Sequence, residues 1–220
     1  MHGYAIQASA GLVKLDAMEN PFRLALDLQR ELGERLGRVA INRYPSRCVA
    51  DVIEALTAYV KPPPDAKLML GNGSDELISL LALAADVPGA SVLAPLPGFV
   101  MYQMSAKLQG LKFVGVPLTP EFELDEPAMM EAIARHHPAI TYIAYPNNPT
   151  ANLFSDSIID RIVAAVGAQS GLVVFDEAYQ PFASRTWMQR MGAHEHVLVM
   201  RTRSKFGLAG VRLGYMAGAA

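Results

Sequence analysis

From Lys67 onward the chain alternates two kinds of apolar pattern, and few architectures accept that alternation. Short apolar runs, many rich in β-branched residues, occur at Lys67–Leu70, Ser91–Ala94, Lys112–Val116, Ala139–Tyr145, Leu172–Phe175, Val197–Met200 and Leu213–Ala217. Between them lie segments of helical character: Ser74 to about Ala85, the group Met129, Met130 and Ile133, and the stripe Ile158, Ile159, Ile162, Val163 and Val166. Continuous apolar runs mark strands buried on both faces, as in a parallel sheet. The expected fold is therefore α/β, a mostly parallel sheet with helices on both faces.

The first third of the chain reads differently. Residues 1–23 show little periodicity, and the Glu19-Asn20-Pro21 turn signal makes them an arm. Leu24, Leu28, Leu32 and Leu36 then recur four apart as one helical stripe. A second helix is predicted from Val52, Ile53, Leu56 and Tyr59, stopped by Pro62-Pro63-Pro64.

Composition narrows the class of function. The chain is 51% hydrophobic and 18% charged with a net charge of −2, and its acids and bases are interspersed. That gives no electrostatic footprint for nucleic acid. The longest apolar run, Leu77–Ala85, is too short to span a bilayer, and Met1–Leu12 does not read as a signal peptide. Cys48 is the single cysteine, so no internal disulfide forms; the thiol is expected to be inert and the setting cytoplasmic.

Ligands of open α/β sheets bind beyond the carboxyl ends of the strands. Polar clusters stand in those places: Gly73-Ser74, Asn147-Asn148, Asp176-Glu177, and Thr202, Ser204 and Lys205. All four are expected to face one crevice. A lysine lifted out of bulk water has a depressed pKa and can form a Schiff base with an aldehyde, which points to Lys205. Asp176, directly after a buried strand, suits a protonated pyridine nitrogen; taken alone it could instead cap a helix. Gly71-Asn-Gly-Ser-Asp75 opening a helix offers N–H groups to a phosphate, and Arg212 could add a bidentate contact. His136-His137 and His194-x-His196 lack the cysteine and carboxylate context of a zinc site and are expected to be solvated, so no metal is expected.

These residues resemble a known family. The run Arg201-Thr-Arg-Ser-Lys205-Phe-Gly-Leu-Ala-Gly-Val-Arg212-Leu-Gly-Tyr is similar to the cofactor-lysine segment of class-II aminotransferases, most of all the histidinol-phosphate aminotransferases. Lys14–Pro21, Asn42-Arg-Tyr-Pro45, Gly71–Glu76, Tyr145-Pro-Asn-Asn-Pro-Thr150 and Val174-Phe-Asp-Glu-Ala-Tyr179 agree in order and spacing. The resemblance implies a fold-type I transferase that binds pyridoxal 5'-phosphate (PLP). Residues 1–40 would be an N-terminal arm and helix belonging to a small domain, and 41–220 an incomplete large domain. Family members continue beyond the position of Ala220 into a C-terminal small domain, which carries the arginine for the substrate carboxylate.

Residue by residue, the resemblance implies that Lys205 bears the cofactor and moves the proton, and that Asp176 pairs with the pyridinium. Asn148 and Tyr179 would bond the phenolic oxygen, and Phe99 would stack on the ring. Ser74, Asp75, Thr202, Ser204 and Arg212 would hold the phosphate. Tyr44 would reach the phosphate of a neighbouring subunit, implying a homodimer. The implied reaction exchanges histidinol phosphate and 2-oxoglutarate for imidazole acetol phosphate and glutamate in L-histidine biosynthesis. A related PLP enzyme with an aromatic or other amino donor, or an inactive N-terminal fragment, are the alternatives. Ala151 stands where the family has glycine, at a cost of roughly 1 kcal/mol if φ is positive. Arg203 replaces an apolar residue and must find solvent, an acid or the phosphate.

Overall fold

The computed structural model describes residues 10–15, 17–44 and 48–219. The first nine residues, Asp16 and Pro45 of the motifs above lie outside the described residues, as does the Cys48 side chain. The elements run α1 (Leu26–Gly37), α2 (Cys48–Val60), β1 (Ala66–Asn72), α3 (Ser74–Ala84), β2 (Ser91–Leu96), α4 (Val100–Leu108), β3 (Lys112–Pro117), α5 (Glu126–His136), β4 (Ile140–Ala144), α6 (Asp156–Gly167), β5 (Leu172–Asp176), β6 (Val197–Thr202) and β7 (Leu213–Ala219). Each strand predicted from an apolar run is present. The nine-residue α4 has no counterpart in the sequence reading.

The seven strands form one sheet in the order β1-β7-β6-β5-β4-β2-β3. β7 pairs antiparallel with both β1 and β6, while the remaining pairs are parallel. Six strands therefore point one way and β7 alone points back. The carboxyl ends of β1, β4, β5 and β6 consequently share one edge of the sheet, where the four polar clusters begin.

Helices cover both faces, as the alternation requires. Leu56 and Val60 of α2, Met129 and Ile133 of α5, and Ile159, Ile162, Val163 and Val166 of α6 pack on one face with Val173, Phe175, Val197 and Val199. Leu77, Ile78 and Leu81 of α3 and Tyr102 and Ala106 of α4 pack on the other, against Val92, Tyr142, Val174 and Met200. Alternate strand residues thus serve opposite layers. Each fully buried Val, Leu or Ile contributes about 1.5–3 kcal/mol relative to exposure.

Local signals set the helix ends. Asp125 caps α5 by accepting from the Ala128 N–H at 3.0 Å, and His137 closes that helix in the left-handed conformation at φ 44°. In contrast, α1 buries no residue, and Leu28, Leu32 and Leu36 of its stripe are exposed. No helix among the described residues is long and apolar enough to cross a membrane.

Candidate active site

A cavity of about 640 Å³ opens at the shared strand edge. Lys205, Asp176, Tyr179 and Asn148 line it, as do Phe99 and Thr202. Ser74, Asp75, Ser204 and Arg212 line its remaining side. Ten of the eleven expected site residues are therefore brought together from α3, the turn before α4, the ends of β4, β5 and β6, and the turn before β7.

Asp176 ends β5 and is almost wholly buried. The Tyr102 hydroxyl donates to its Oδ2 at 2.8 Å, and the Ala178 N–H donates to Oδ1 at 3.1 Å. Burial pushes its carboxyl up to about 6; Tyr102 and Ala178 oppose the rise, while Asp75 and Glu177 add to it. Each oxygen has one donor, so a second lone pair remains on each for a cationic ligand.

Lys205 sits in a short 3-10 turn, Ser204–Phe206, directly after β6. Its Nζ donates to the Ala17 carbonyl at 2.9 Å and lies 5.6 Å from the centre of the Tyr179 ring. Burial lowers the pKa of the amine, helped by the Arg212 cation and opposed by Asp75, Glu19 and Asp176. The arm closes this side. Tyr179 Oη lies 3.2 Å from Met18 Sδ, and Asn20 Oδ1 accepts from the Phe22 N–H at 2.9 Å in the expected turn.

The third group is an anion cradle. Gly73 precedes α3 at φ 81°, with no side chain bonding the first-turn N–H groups. Glu76 instead reaches back to the Asn72 N–H at 2.6 Å, leaving the N–H groups of Ser74 and Asp75 at the helix mouth. Arg212 brackets them: its Nη1 is 3.4 Å from Ser204 Oγ and its Nη2 is 3.8 Å from Asp75 Oδ2. Thr202 Oγ1 donates to Ser204 Oγ at 2.9 Å. Gly73 is needed for its φ of 81°; a Cβ there would also stand 2.5 Å from the Arg212 guanidinium, which would have to shift.

Several expectations need correction. Glu177 does not face the crevice. Extended backbone sends neighbouring side chains to opposite faces, and Glu177 binds Arg201, Thr186 and the Trp187 N–H on the far layer. Asn147 also turns away, with its Nδ2 donating to the Pro97 carbonyl at 3.2 Å and to Thr150 Oγ1 at 2.7 Å. His194 and His196 are half-buried rather than solvated; their rings meet edge to face, and His196 Nε2 lies 2.9 Å from the Val163 carbonyl. Tyr44, expected at a neighbouring subunit's phosphate and not in this cavity, is 97% exposed and does not line it, which leaves that expectation standing.

Arg203 finds two rings instead of an acid: its guanidinium carbon lies 4.6 Å from the centre of Tyr59 and 5.0 Å from that of Phe206. Ala151 does take a positive φ, 62°, with its N–H bonded to the Asn147 carbonyl at 2.8 Å. Sequence reasoning missed Tyr102 and the Ala17–Met18 cover. Tyr102 is separated from Asp176 by 74 positions, and no local pattern links them.

Comparison with known proteins gives the family and the fold. The model of the aminotransferase class I and II family matches residues 11–220. A histidinol-phosphate aminotransferase of Polaromonas naphthalenivorans (strain CJ2) is 69% identical over 99% of this chain and 60% of its own length. That of Methylibium petroleiphilum (strain ATCC BAA-1232 / LMG 22953 / PM1) is 66% identical over 99% of this chain and 59% of its own. The crystal structure of histidinol-phosphate aminotransferase from Sinorhizobium meliloti in complex with pyridoxal-5'-phosphate superposes with a TM-score of 0.78 at 26% identity, covering 92% of this chain and 55% of that one. The chain thus spans about three fifths of the length of the curated relatives it matches. With the family model matching residues 11–220, the chain belongs to the class I and II aminotransferases.

Proposed function

We propose that this chain forms the PLP-binding part of a histidinol-phosphate aminotransferase. The observation that carries the reading is the meeting, in one cavity, of a desolvated lysine and a buried carboxylate with open lone pairs. The 69% identical relative supports the substrate, and the S. meliloti complex supports the cofactor. The residues present fit PLP by their chemistry: an amine, an acceptor for a ring N–H, and a helix mouth beside Arg212 for the phosphate.

When bound, PLP supplies an aldehyde for amine exchange and a ring that withdraws electrons from the reacting carbon. Lys205 would supply the amine that holds it and a base to move the proton at the reacting carbon. Its lowered pKa makes the neutral, nucleophilic form more abundant. Asp176 would accept the ring N–H. Asn148 and Tyr179 would bond the phenolic oxygen, and Phe99 would offer its ring to the cofactor ring. Ser74 and Asp75 N–H groups with Thr202, Ser204 and Arg212 would hold the phosphate. The reading extends to 2-oxoglutarate as amino acceptor, to L-histidine biosynthesis, and to a cytoplasmic homodimer. In that dimer the exposed Tyr44 would reach the partner's phosphate. The division near residue 40 into arm with helix and large domain belongs to it too.

The test is to add PLP to the purified chain, reduce with borohydride, and map the modified residue by mass spectrometry beside Lys205→Ala. A pyridoxyl group on Lys205, with the visible band lost in the variant, is expected. Absence of label there overturns the reading for the 220-residue chain. Turnover of histidinol phosphate against aromatic amino acids then tests the donor.

A further inference from the structure

We propose that Tyr102 is a positioning residue for Asp176, its hydroxyl fixing the carboxylate in one rotation and holding it ionised for a cationic ring nitrogen. The ring nitrogen rests on the cofactor reading above; the Tyr102–Asp176 coupling does not.

The two donors to Asp176 come from different elements and reach different oxygens: Tyr102 from α4 to Oδ2, and the Ala178 N–H from the chain beyond β5 to Oδ1. Turning the carboxylate would break both bonds. Tyr102 cannot follow it, because its ring is buried and clamped. It stacks on Tyr142 with centroids 4.3 Å apart and planes at 3°, and meets Phe99 edge to face at 5.6 Å. Phe99 immediately precedes α4, and its carbonyl accepts from the Tyr102 N–H at 3.3 Å. One helical turn therefore delivers the ring that lines the cavity and the hydroxyl behind Asp176.

Electrostatics makes this bond matter. The other groups acting on Asp176 are Asp75 of α3, Glu177 next in the chain, Tyr142 of β4 and Lys205 beyond β6, while Tyr179 beyond β5 acts on Tyr102. The two acids favour the protonated carboxyl, and so does burial. Tyr102 and Ala178 are the hydrogen-bond donors that favour the ionised form, and only Tyr102 is a side chain. Burial and the Asp176 charge hold the Tyr102 phenol well above its usual range, so it is a donor throughout the working range of pH. A neutral donor holds the charge without cancelling it, leaving Asp176 in need of a cation.

The experiment follows the carboxyl carbon of Asp176 by 13C NMR against pH in the PLP-free chain, assigned through Asp176→Asn. The expected midpoint is about 6. Tyr102→Phe keeps the stacked ring and should raise the midpoint by about one to two units. Site-specific 3-fluorotyrosine at position 102 makes the donor stronger and should lower it. Midpoints that stay in place, even with lower thermal stability, leave Tyr102 a packing residue and overturn the proposal. If Tyr102→Phe does not fold, the fluorinated chain decides. Borohydride labelling of Lys205 is read separately. Its failure overturns the cofactor reading, while the titration still decides the coupling.

Discussion

Asp176 and Glu177 are neighbours in the chain, both buried, yet they are satisfied on opposite layers of the sheet in different ways. Glu177 is completed by its own protein. Arg201 Nε donates to it at 2.9 Å, the Trp187 N–H at 2.6 Å, and Thr186 Oγ1 lies 2.9 Å from both oxygens. Arg201 also donates to Thr186 at 2.9 Å, so the network closes on itself. Asp176 has two neutral donors and no ion pair among the described residues. The difference teaches how to tell a structural acid from a working one. A structural acid has its cation inside the fold, whereas a working acid leaves that place to a ligand.

The largest expected effect comes from breaking the completed side. Arg201→Met strips Glu177 of its cation and should cost about 3–5 kcal/mol in urea denaturation. The double variant Arg201→Met/Glu177→Leu should recover most of that loss. A cost below about 1 kcal/mol for Arg201→Met would erase the contrast.

The other side should respond with the opposite sign. Asp176→Asn removes a charge that burial disfavours, so the PLP-free chain should gain on the order of 2 kcal/mol at pH 7. The pH profile sharpens this. The folded-state carboxyl at about 6 lies above its usual 3.8, so the folded chain holds more protons between those values. The contribution of Asp176 to stability should fall as pH rises from 3.8 through about 6 and stay level above. That slope should be absent from the profile of Asp176→Asn, so the difference between wild type and variant isolates it. A smaller effect tests the backbone of the loop bearing Asn148. Ala151→Gly relieves a left-handed alanine and should stabilise by about 0.5–1 kcal/mol in thermal melts.

Much of this was legible in the sequence, for physical reasons. Strands such as Leu172–Phe175 declare themselves because buried parallel strands are apolar on both faces. Lys205, Asp176 and Asn148 follow such strands and could be placed at one edge before their neighbours were known. The sequence hid what depends on long-range order. Nothing near Leu213–Ala217 says that this strand inserts antiparallel between β1 and β6. Nothing near Tyr102 says that its hydroxyl meets Asp176. Helix α4 has no capping side chain and a short apolar stripe, so its local signal is weak. Glu177 was misplaced although period-two alternation alone sends it away from Asp176. Arg203 shows the converse, since a chain rule demanding an acid or water was met by two aromatic rings.

The register that joins Ala66 to Ala219 also sets a timetable for the chain as it is made. Among the described residues β1 bonds to no strand but β7, and its turn at Gly73 lies against Gly214, where an added Cβ would stand 2.5 Å from the Gly73 carbonyl carbon. At roughly ten residues per second, β1 leaves the ribosome some ten to twenty seconds before its partner. During that interval the growing chain can pair β2 through β6, but the wall behind the Gly73–Ser74 turn does not yet exist. A nascent chain arrested before Leu213 has its lysine and its aspartate and still lacks the finished anion cradle.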